Sequence, residues 1–525
     1  MNETVLKAQD TLATYNAAVD LLEHNVIDGR GAEPYLRTAQ RDMSYEEVCA
    51  AADAAGAGLL DLDLRRGDRV LLALQDGVEF VVTFFGAMKA GLVPVPVAHG
   101  LATTDIHFMI TDSEARVAIC DLPSAAAVVP AAERAGIECL FVGEGPREKT
   151  RAWNDVCGRP QSLVAAPTTH EDVALWLYTS GTTGLPKAVM HRHAHLKAAP
   201  AALATQVIGM QPDDVIFSVS KMFFAYGLGN SVYLPAAMGA SVVVHDGPSI
   251  PARIQALISE TKPTVLFGVP AFFAGFTKLE DSSVPSSVRM VLSAGEALRA
   301  PLLDAFTARF GLPLLDGLGS TEALHHFTCT HPGDVVPGSA GVALEGYEVK
   351  VRDRDQHEVD EGGSGELWVR GPTTFASYWR RPELTARAYA DGWMRTGDLV
   401  RVVDGHVFHE GRLDDLIKLG GVWVSPAEVE DALRSHPDVT DAAVVTIDEG
   451  LGVPTLKAFV LSDRDDKPLR SELRKLCRGR LAEFKVPKAF EIVPELPRTP
   501  TGKLKRFVLR GREGGVLPGG GRSRS

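Results

Sequence analysis

Short runs rich in valine, isoleucine and leucine recur along this chain, with helix-patterned stretches between them. Examples are residues 69–74, 117–120, 240–245 and 288–293. Such alternation restricts the fold to α/β layers with largely parallel sheets. The most membrane-like stretch, residues 81–98, contains Lys89, Pro94 and Pro96. It reads as a buried helix followed by a strand, not as a membrane span. A length of 525 residues is enough for two or more domains.

The character changes from about Val349, where short strands at 347–352 and 365–370 alternate with glycine-containing turns. This predicts a small β-rich subdomain. Near Arg412 it changes again. Ser425, Pro426 and Glu428 form a helix-start signature, and Val429, Ala432 and Leu433 then fall on one helical face. Strand-like runs follow at 442–447 and 456–461. A second helix is expected to carry Leu473, Leu476, Cys477, Leu481 and Phe484 at helical spacing. The resulting architecture is α/β: a large N-terminal domain of layered α/β subdomains plus the β-rich one, then a small α+β domain. The domain boundaries are read as 1–412 and 413–510. The Gly/Arg/Ser-rich segment 511–525 reads as a disordered tail.

The formal net charge of −13 does not suit a chain that tracks a phosphate backbone, which argues against nucleic acid as a partner. An anionic substrate must be met by local basic groups and backbone N–H donors. The six cysteines (Cys49, Cys120, Cys139, Cys157, Cys329, Cys477) show neither metal-ligand nor redox-motif spacing. The opening MNETVLKAQD is polar and carries no apolar signal-peptide core. These features predict a reduced, cytoplasmic protein with no membrane association.

A strand candidate at 174–178 leads into Thr179-Ser180-Gly181-Thr182-Thr183-Gly184-Leu185-Pro186-Lys187. Glycines let successive N–H groups converge on one anion, hydroxyls add donors, and Lys187 adds a mobile charge. The spacing is not that of the Walker A loop. By composition alone a surface turn is an equal reading.

The order of residues separates the two. TSGTTGLPK resembles the phosphate loop of the adenylate-forming superfamily of acyl-CoA synthetases, aryl-CoA ligases, adenylation domains and luciferases. Further segments resemble the family's motifs in the family's order. Gly295-Glu296-Ala297 is similar to its adenine-lining segment. In Asp316-Gly317-Leu318-Gly319-Ser320-Thr321-Glu322 the resemblance implies that Asp316 meets the adenine amino group, Thr321 the α-phosphate, and Glu322 Mg²⁺. Leu318 departs from the stacking tyrosine of many members. Trp393-Met-Arg-Thr-Gly-Asp398 resembles the ribose-binding motif. Residues 411–418 resemble the hinge motif, with Arg412 on the ribose, Asp414 as pivot and Lys418 acting during the cycle. Gly420 and Gly421 fall where the family lines its pantetheine tunnel, and Lys503 in Pro-Thr-Gly-Lys matches the catalytic lysine. Taken singly, Asp398 reads as a turn former, Lys503 as a solvated lysine and Glu322 as a helix-start acid. Six ordered matches outweigh those readings.

The implied chemistry joins two anions, a carboxylate and ATP, into an acyl-adenylate, and then passes the acyl group to a thiol. Lys503, Lys187 and Mg²⁺ would offset the charge, and alignment would supply much of the rest. In the family the mobile C-terminal domain swings about the hinge between the two steps.

Lys221-Met-Phe-Phe-Ala-Tyr-Gly-Leu-Gly-Asn230 and the Ser-Thr-Glu-x-Leu-His stretch ending at His325 resemble benzoate-CoA ligases and related aryl-CoA ligases. Phe224, Ala225, Tyr226, Gly319 and His325 are the candidate acid pocket, with Phe223 read as core. His325 and His326 are adjacent, so at most one is expected to line it. Tyr226 and His326 are the polar groups that could meet a ring substituent. His191, His193 and His195 would share a face on a strand. With no accompanying acid or cysteine they read as caps or core, and no transition metal is expected. ATP, Mg²⁺ and CoA are the implied cofactors and co-substrates. The competing readings are an aryl-AMP ligase loading a carrier protein, a fatty acyl-CoA synthetase, an oxidative luciferase-like enzyme and a non-catalytic nucleotide sensor.

Overall fold

The structure is a computed structural model that describes residues 14–144, 148–179, 186–419, 422–448, 454–498, 504 and 506–512. A nine-stranded sheet carries much of the larger part. Its central strands Ser241–Val243, Val215–Ser218, Val265–Gly268, Met290–Ala294 and Leu314–Gly319 are parallel neighbours. Pro34–Arg37 joins Ser241–Val243 in parallel. Short antiparallel strands finish both sides: Asp42–Ser44 at one, His326–Cys329 and Val342–Ala343 at the other. Runs such as Val265–Leu266–Phe267 are fully buried, as expected for parallel strands covered on both faces. On one face Phe273, Phe276 and Phe306 form the centre of an apolar cluster with Leu266, Val291 and Leu314.

A second, all-parallel sheet of five strands has the order Val93–Pro96, Arg69–Ala73, Ala115–Cys120, Glu138–Phe141, Arg151–Ala152. The helix Val78–Lys89 precedes Val93–Pro96, as the sequence predicts, and is buried along nearly its whole length. It packs against helix Tyr45–Leu60 at two glycines. A Cβ on Gly86 would stand 2.3 Å from the Ala52 carbonyl, and one on Gly56 would stand 2.4 Å from the Gly86 carbonyl. Helix Tyr45–Leu60 begins with a full capping box between Ser44 and Glu47.

The strands Val173–Thr179 and Lys187–Arg192 pair antiparallel with Thr179 opposite Lys187, and Ser377–Tyr378 joins the latter. The segment Ser180–Gly181–Thr182–Thr183–Gly184 lies outside the described residues. The β-rich region contains Glu348–Arg352, Ser364–Arg370, Tyr389–Ala390, Trp393–Val403 and His406–Arg412 in one sheet.

The chain divides into two compact units. One comprises Met1–Lys350, Trp368–Thr396 and Asp404–Val407, and the other Val351–Leu367, Gly397–Val403 and Phe408–Ser525. In the second unit Asp441–Asp448 pairs antiparallel with Pro454–Leu461, which pairs in parallel with Ala489–Val493. Helices Pro426–Arg434 and Lys467–Arg480 close the core through Val429, Leu433, Leu469, Leu473 and Cys477. Two expectations need correction here. Ser425 does stand at the N-cap position, but its hydroxyl donates to the Glu410 carbonyl at 3.0 Å instead of capping the helix. The second helix ends at Arg480, so Leu481, already extended, and Phe484, 46 % exposed, are not on it.

Glu430 is buried and accepts from the Val444 N–H at 2.8 Å and from Arg506 at 2.9 Å, which ties down the final helix Arg506–Arg512. Gly511 and Arg512, assigned by composition to a tail, belong to that helix, and residues 513–525 lie outside the described ones. No helix among the described residues is long and apolar enough to cross a membrane. No disulfide joins any of the six cysteines among the described residues, and the Sγ atoms of Cys120 and Cys139 lie 3.7 Å apart.

Candidate active site

One short segment, 314–326, organises the site in the first unit. Its strand Leu314–Gly319 ends in a 3-10 turn, Thr321–Ala323, capped by Ser320, whose Oγ accepts from the Ala323 N–H at 3.2 Å. Three successive carbonyls of that turn are each held by a different donor. His191 Nε2 donates to Thr321 at 2.7 Å, the Phe375 N–H to Glu322 at 2.7 Å, and Thr373 Oγ1 to Ala323 at 2.6 Å. Buried backbone acceptors satisfied in this way make the turn rigid and set the direction of Thr321 and Glu322.

Glu322 meets Lys187 through Tyr378. Lys187 Nζ donates to the Tyr378 hydroxyl at 2.8 Å, and that hydroxyl donates to Glu322 Oε1 at 2.7 Å. Lys187 Nζ also stands 3.6 Å from Glu322 Oε1 and 4.0 Å from the centre of the tyrosine ring. Both charged side chains keep partial solvent access, 24 % and 19 %. A partly exposed carboxylate beside a lysine suits a hard cation with its phosphate ligands.

Asp316 is buried on the opposite face of the strand from Gly317. Its Oδ2 accepts from the Leu298 N–H at 3.3 Å, while Oδ1 has no hydrogen-bond partner among the described residues. Burial pushes this carboxyl well above the usual range. An unpartnered carboxyl oxygen next to the exposed Gly295 and Ala297 fits a ligand amino group. Gly295 has φ +91°, a turn conformation that glycine adopts without strain.

The aromatic segment enters from the other side. Asp76 pins it by accepting from the Met222 N–H at 2.9 Å and pairing with Lys221 at 3.5 Å. Phe224 precedes the short helix Ala225–Leu228; Phe224, Ala225 and Tyr226 are partly accessible, whereas Phe223 is buried. The Tyr226 ring lies 5.5 Å from His325, 5.4 Å from His326 and 6.1 Å from Phe267. Burial keeps Tyr226 a neutral phenol. Gly229 permits the approach of His325, since a Cβ there would stand 2.3 Å from that ring.

Both adjacent histidines therefore pack on Tyr226. The cause is backbone geometry. Leu324 has φ +65°, and the strand pairing shifts register at Leu318/Gly319, so the alternation of faces breaks where the two histidines enter the strand.

In the second unit Asp398 is buried, and Arg412 Nη1 and His409 Nε2 reach its Oδ1 at 2.8 Å and 3.2 Å. Burial alone would raise this carboxyl, but Arg412 and His409 outweigh it and hold it well below the usual carboxylate range. Gly397, with φ +71°, leaves room for the Arg412 guanidinium, 3.0 Å from where its Cβ would be. Gly420, Gly421 and Lys503 lie outside the described residues, as do the side chains of Asp414 and Lys418. Arg498 and Leu504, on either side of residues 499–503, pair as an antiparallel bridge.

The three histidines of the His191–His195 segment do not share a strand. His191 ends up on the strand Lys187–Arg192, while His193 and His195 start helix His193–Pro200. All are buried, His191 anchoring Thr321 and His193 Nδ1 accepting from the Ala17 N–H at 3.0 Å. Sequence reasoning passed over Tyr378, His409 and the anchoring role of His191. None has a spacing signal that ties it to its partner, which lies 56 positions away for Tyr378 and Glu322.

Residues 23–379 match the family of AMP-binding enzymes, and residues 428–503 match the AMP-binding enzyme C-terminal domain. The chain is 37 % identical over 505 residues to benzoate–CoA ligase of Thauera aromatica, covering 94 % of this chain and 96 % of that one. It is 35 % identical to 4-hydroxybenzoate–CoA/benzoate–CoA ligase of Rhodopseudomonas palustris, with 95 % and 94 % covered. The crystal structure of an anthranilate CoA ligase in complex with anthranoyl-AMP superposes with a TM-score of 0.89 at 34 % identity, covering 97 % of this chain and 99 % of that one. This chain belongs to the AMP-binding enzyme family.

Proposed function

We propose that this protein is an AMP-forming acid–thiol ligase. It activates a small aromatic carboxylic acid, benzoate or a substituted benzoate, as aryl-AMP with release of pyrophosphate. It then transfers the aryl group to CoA, giving aryl-CoA and AMP. The observation that carries this reading is the continuity of residues 316–326. One rigid segment presents a buried carboxyl for an amino group, a carboxylate beside Lys187, and a histidine wall against Tyr226. The nucleotide and the flat acid are thus served from one backbone.

Lys187 attracts the phosphates, and Glu322 would hold Mg²⁺. Mg²⁺, when bound, neutralises phosphate charge during AMP transfer. The hydroxyls and N–H groups of 179–184 cradle the pyrophosphate end, and Thr321 meets the α-phosphate. Asp316, Gly317 and Gly295–Ala297 receive the adenine, while Asp398 and Arg412 hold the ribose. Phe224, Ala225, Tyr226, Gly319 and His325 enclose the acid. Lys503 offsets the charge where carboxylate meets α-phosphate. Asp414 is the pivot between the two half-reactions, with the domain boundary at 412/413. Lys418 acts during that cycle, and Gly420 and Gly421 line the pantetheine path. Cysteines that form no disulfide among the described residues support a cytoplasmic location.

The test is carboxylate-dependent ATP–pyrophosphate exchange with benzoates and fatty acids, followed by thioester formation with CoA. Exchange with aryl acids and CoA thioester as product are expected. Preference for hexanoate over every benzoate would overturn the acid assignment. Transfer only to a phosphopantetheinylated carrier protein would overturn the acceptor.

A further inference from the structure

Ser218, Asn230, His325 and His326 form a buried relay whose polarity can be read from one end. Ser218 Oγ donates to the Ser220 carbonyl at 3.2 Å. Its one proton is thereby committed, so in the 3.3 Å contact with Asn230 Nδ2 the amide is the donor. That sets the orientation of the amide and turns Oδ1 toward His325 Nε2, 3.1 Å away. An amide oxygen only accepts, so this Nε2 carries the proton. Burial, and then the neighbouring His326, keep His325 neutral, which leaves its Nδ1 bare. The 3.1 Å contact between the two Nδ1 atoms therefore has His326 as donor. His326 is neutral as well, its pKa pushed to about 3 by burial. Its Nε2 is a bare lone pair with no hydrogen-bond partner among the described residues.

A buried acceptor without a donor is costly, and each such group needs an account. This one belongs to a ring packed beside His325 and Tyr226, two of the residues proposed above for the acid. His326 meets Tyr226 edge-on at 5.4 Å. A Cβ on Gly317 would stand 2.4 Å from His326 Cδ2 and 2.6 Å from Nε2, so this imidazole edge takes the space of a side chain at 317.

Resting on the function proposed above, we infer that His326 Nε2 is a specificity-determining acceptor for a hydrogen-bond donor on the ring of the acid. The preferred substrates are hydroxy- or aminobenzoates rather than benzoate. Sites built to pair a polar group reject analogues that lack it far more strongly than apolar pockets reject an added one.

The experiment measures ATP–pyrophosphate exchange for benzoate, the hydroxy- and aminobenzoates, and the methoxybenzoates, which keep the oxygen but lose the donor. At least one donor-bearing acid should exceed benzoate in kcat/KM by about 10-fold or more, and its methoxy counterpart should not. His326→Leu should bring the two acids to within about threefold of each other. Asn230→Leu leaves His326 in place but frees the relay to reverse, so it should also relax the preference, which a merely steric role for His326 would not do. Nitrogen-15 NMR of labelled histidines in the unmodified protein should find His326 protonated at Nδ1, and this holds the inference open to refutation even where a variant fails to fold. The idea is overturned if benzoate matches every donor-bearing acid, as it would with an ordered water on Nε2. It is equally overturned if the preference survives His326→Leu, or if His326 is protonated at Nε2. Failure of every aromatic acid to support exchange is a distinct result, which removes the proposed function and this inference with it.

Discussion

Tyr378 holds two opposite charges on one oxygen, accepting from Lys187 and donating to Glu322. A phenol can do both at once and a phenyl ring can do neither. In Tyr378→Phe, Lys187 and Glu322, already 3.6 Å apart, are expected to close on each other and become less available to nucleotide. Hydrogen bonds to charged groups contribute about 1.5–3 kcal/mol, so kcat/KM for ATP should fall about 10- to 100-fold while folding is retained. Exchange kinetics at varied ATP decide this, and an unchanged kcat/KM would refute it. Lys187 and Glu322 were visible in their motifs, whereas Tyr378 became visible only when strand Ser377–Tyr378 paired beside Lys187–Arg192. The buried histidines set a pH limit. Burial lowers His191 and His193 to about 4 and His326 to about 3. Between those values and about 6.5 the unfolded chain binds more protons than the folded one, so stability rises with pH in that window. Each histidine should remove up to about 1.4 kcal/mol per pH unit on acidification below about 6.5. Urea unfolding at pH 7 and pH 5 checks this, and equal midpoints would refute it.

At the scale of elements, the helix pair Tyr45–Leu60 and Val78–Lys89 depends on backbone contact at Gly56 and Gly86. Gly86→Ala brings two opposing effects. Alanine favours the helix by up to about 1 kcal/mol. The added methyl would meet the Ala52 carbonyl at 2.3 Å, and overpacking against backbone typically costs about 1–3 kcal/mol. The steric term should win, lowering the urea midpoint with an unchanged slope. A raised midpoint would show that the helices can separate freely. Apolar periodicity made both helices legible, but not which residues face each other across a helix crossing. The Ser425 signature shows the same limit. Proline and acid at the right offsets marked the helix start, yet the Ser425 hydroxyl found the nearby Glu410 carbonyl instead.

At the scale of the molecule, the residues proposed above to act on the nucleotide are drawn from both units of the chain. Lys187, Asp316 and Glu322 belong to the first, and Asp398, Arg412 and Lys503 to the second. A hinge between half-reactions would then use Lys503 in only one of them. Lys503→Ala is expected to lower aryl-AMP formation by about 100-fold or more while sparing transfer from preformed aryl-AMP to CoA. Assaying the two half-reactions separately checks this; equal losses would argue against the division of labour.

The α/β class, the order of the nucleotide motifs and the aromatic character of the acid segment were legible before any folding was considered. Those properties reside in contiguous residues: apolar runs, glycine spacing and side-chain chemistry within about ten positions. Folding was needed to show that Tyr378 joins Lys187 to Glu322, that His191 anchors Thr321, and that both His325 and His326 pack on Tyr226. These are through-space relations, set by strand pairing and by one left-handed residue, Leu324. No local pattern encodes them, because the partners meet only once the sheets have formed.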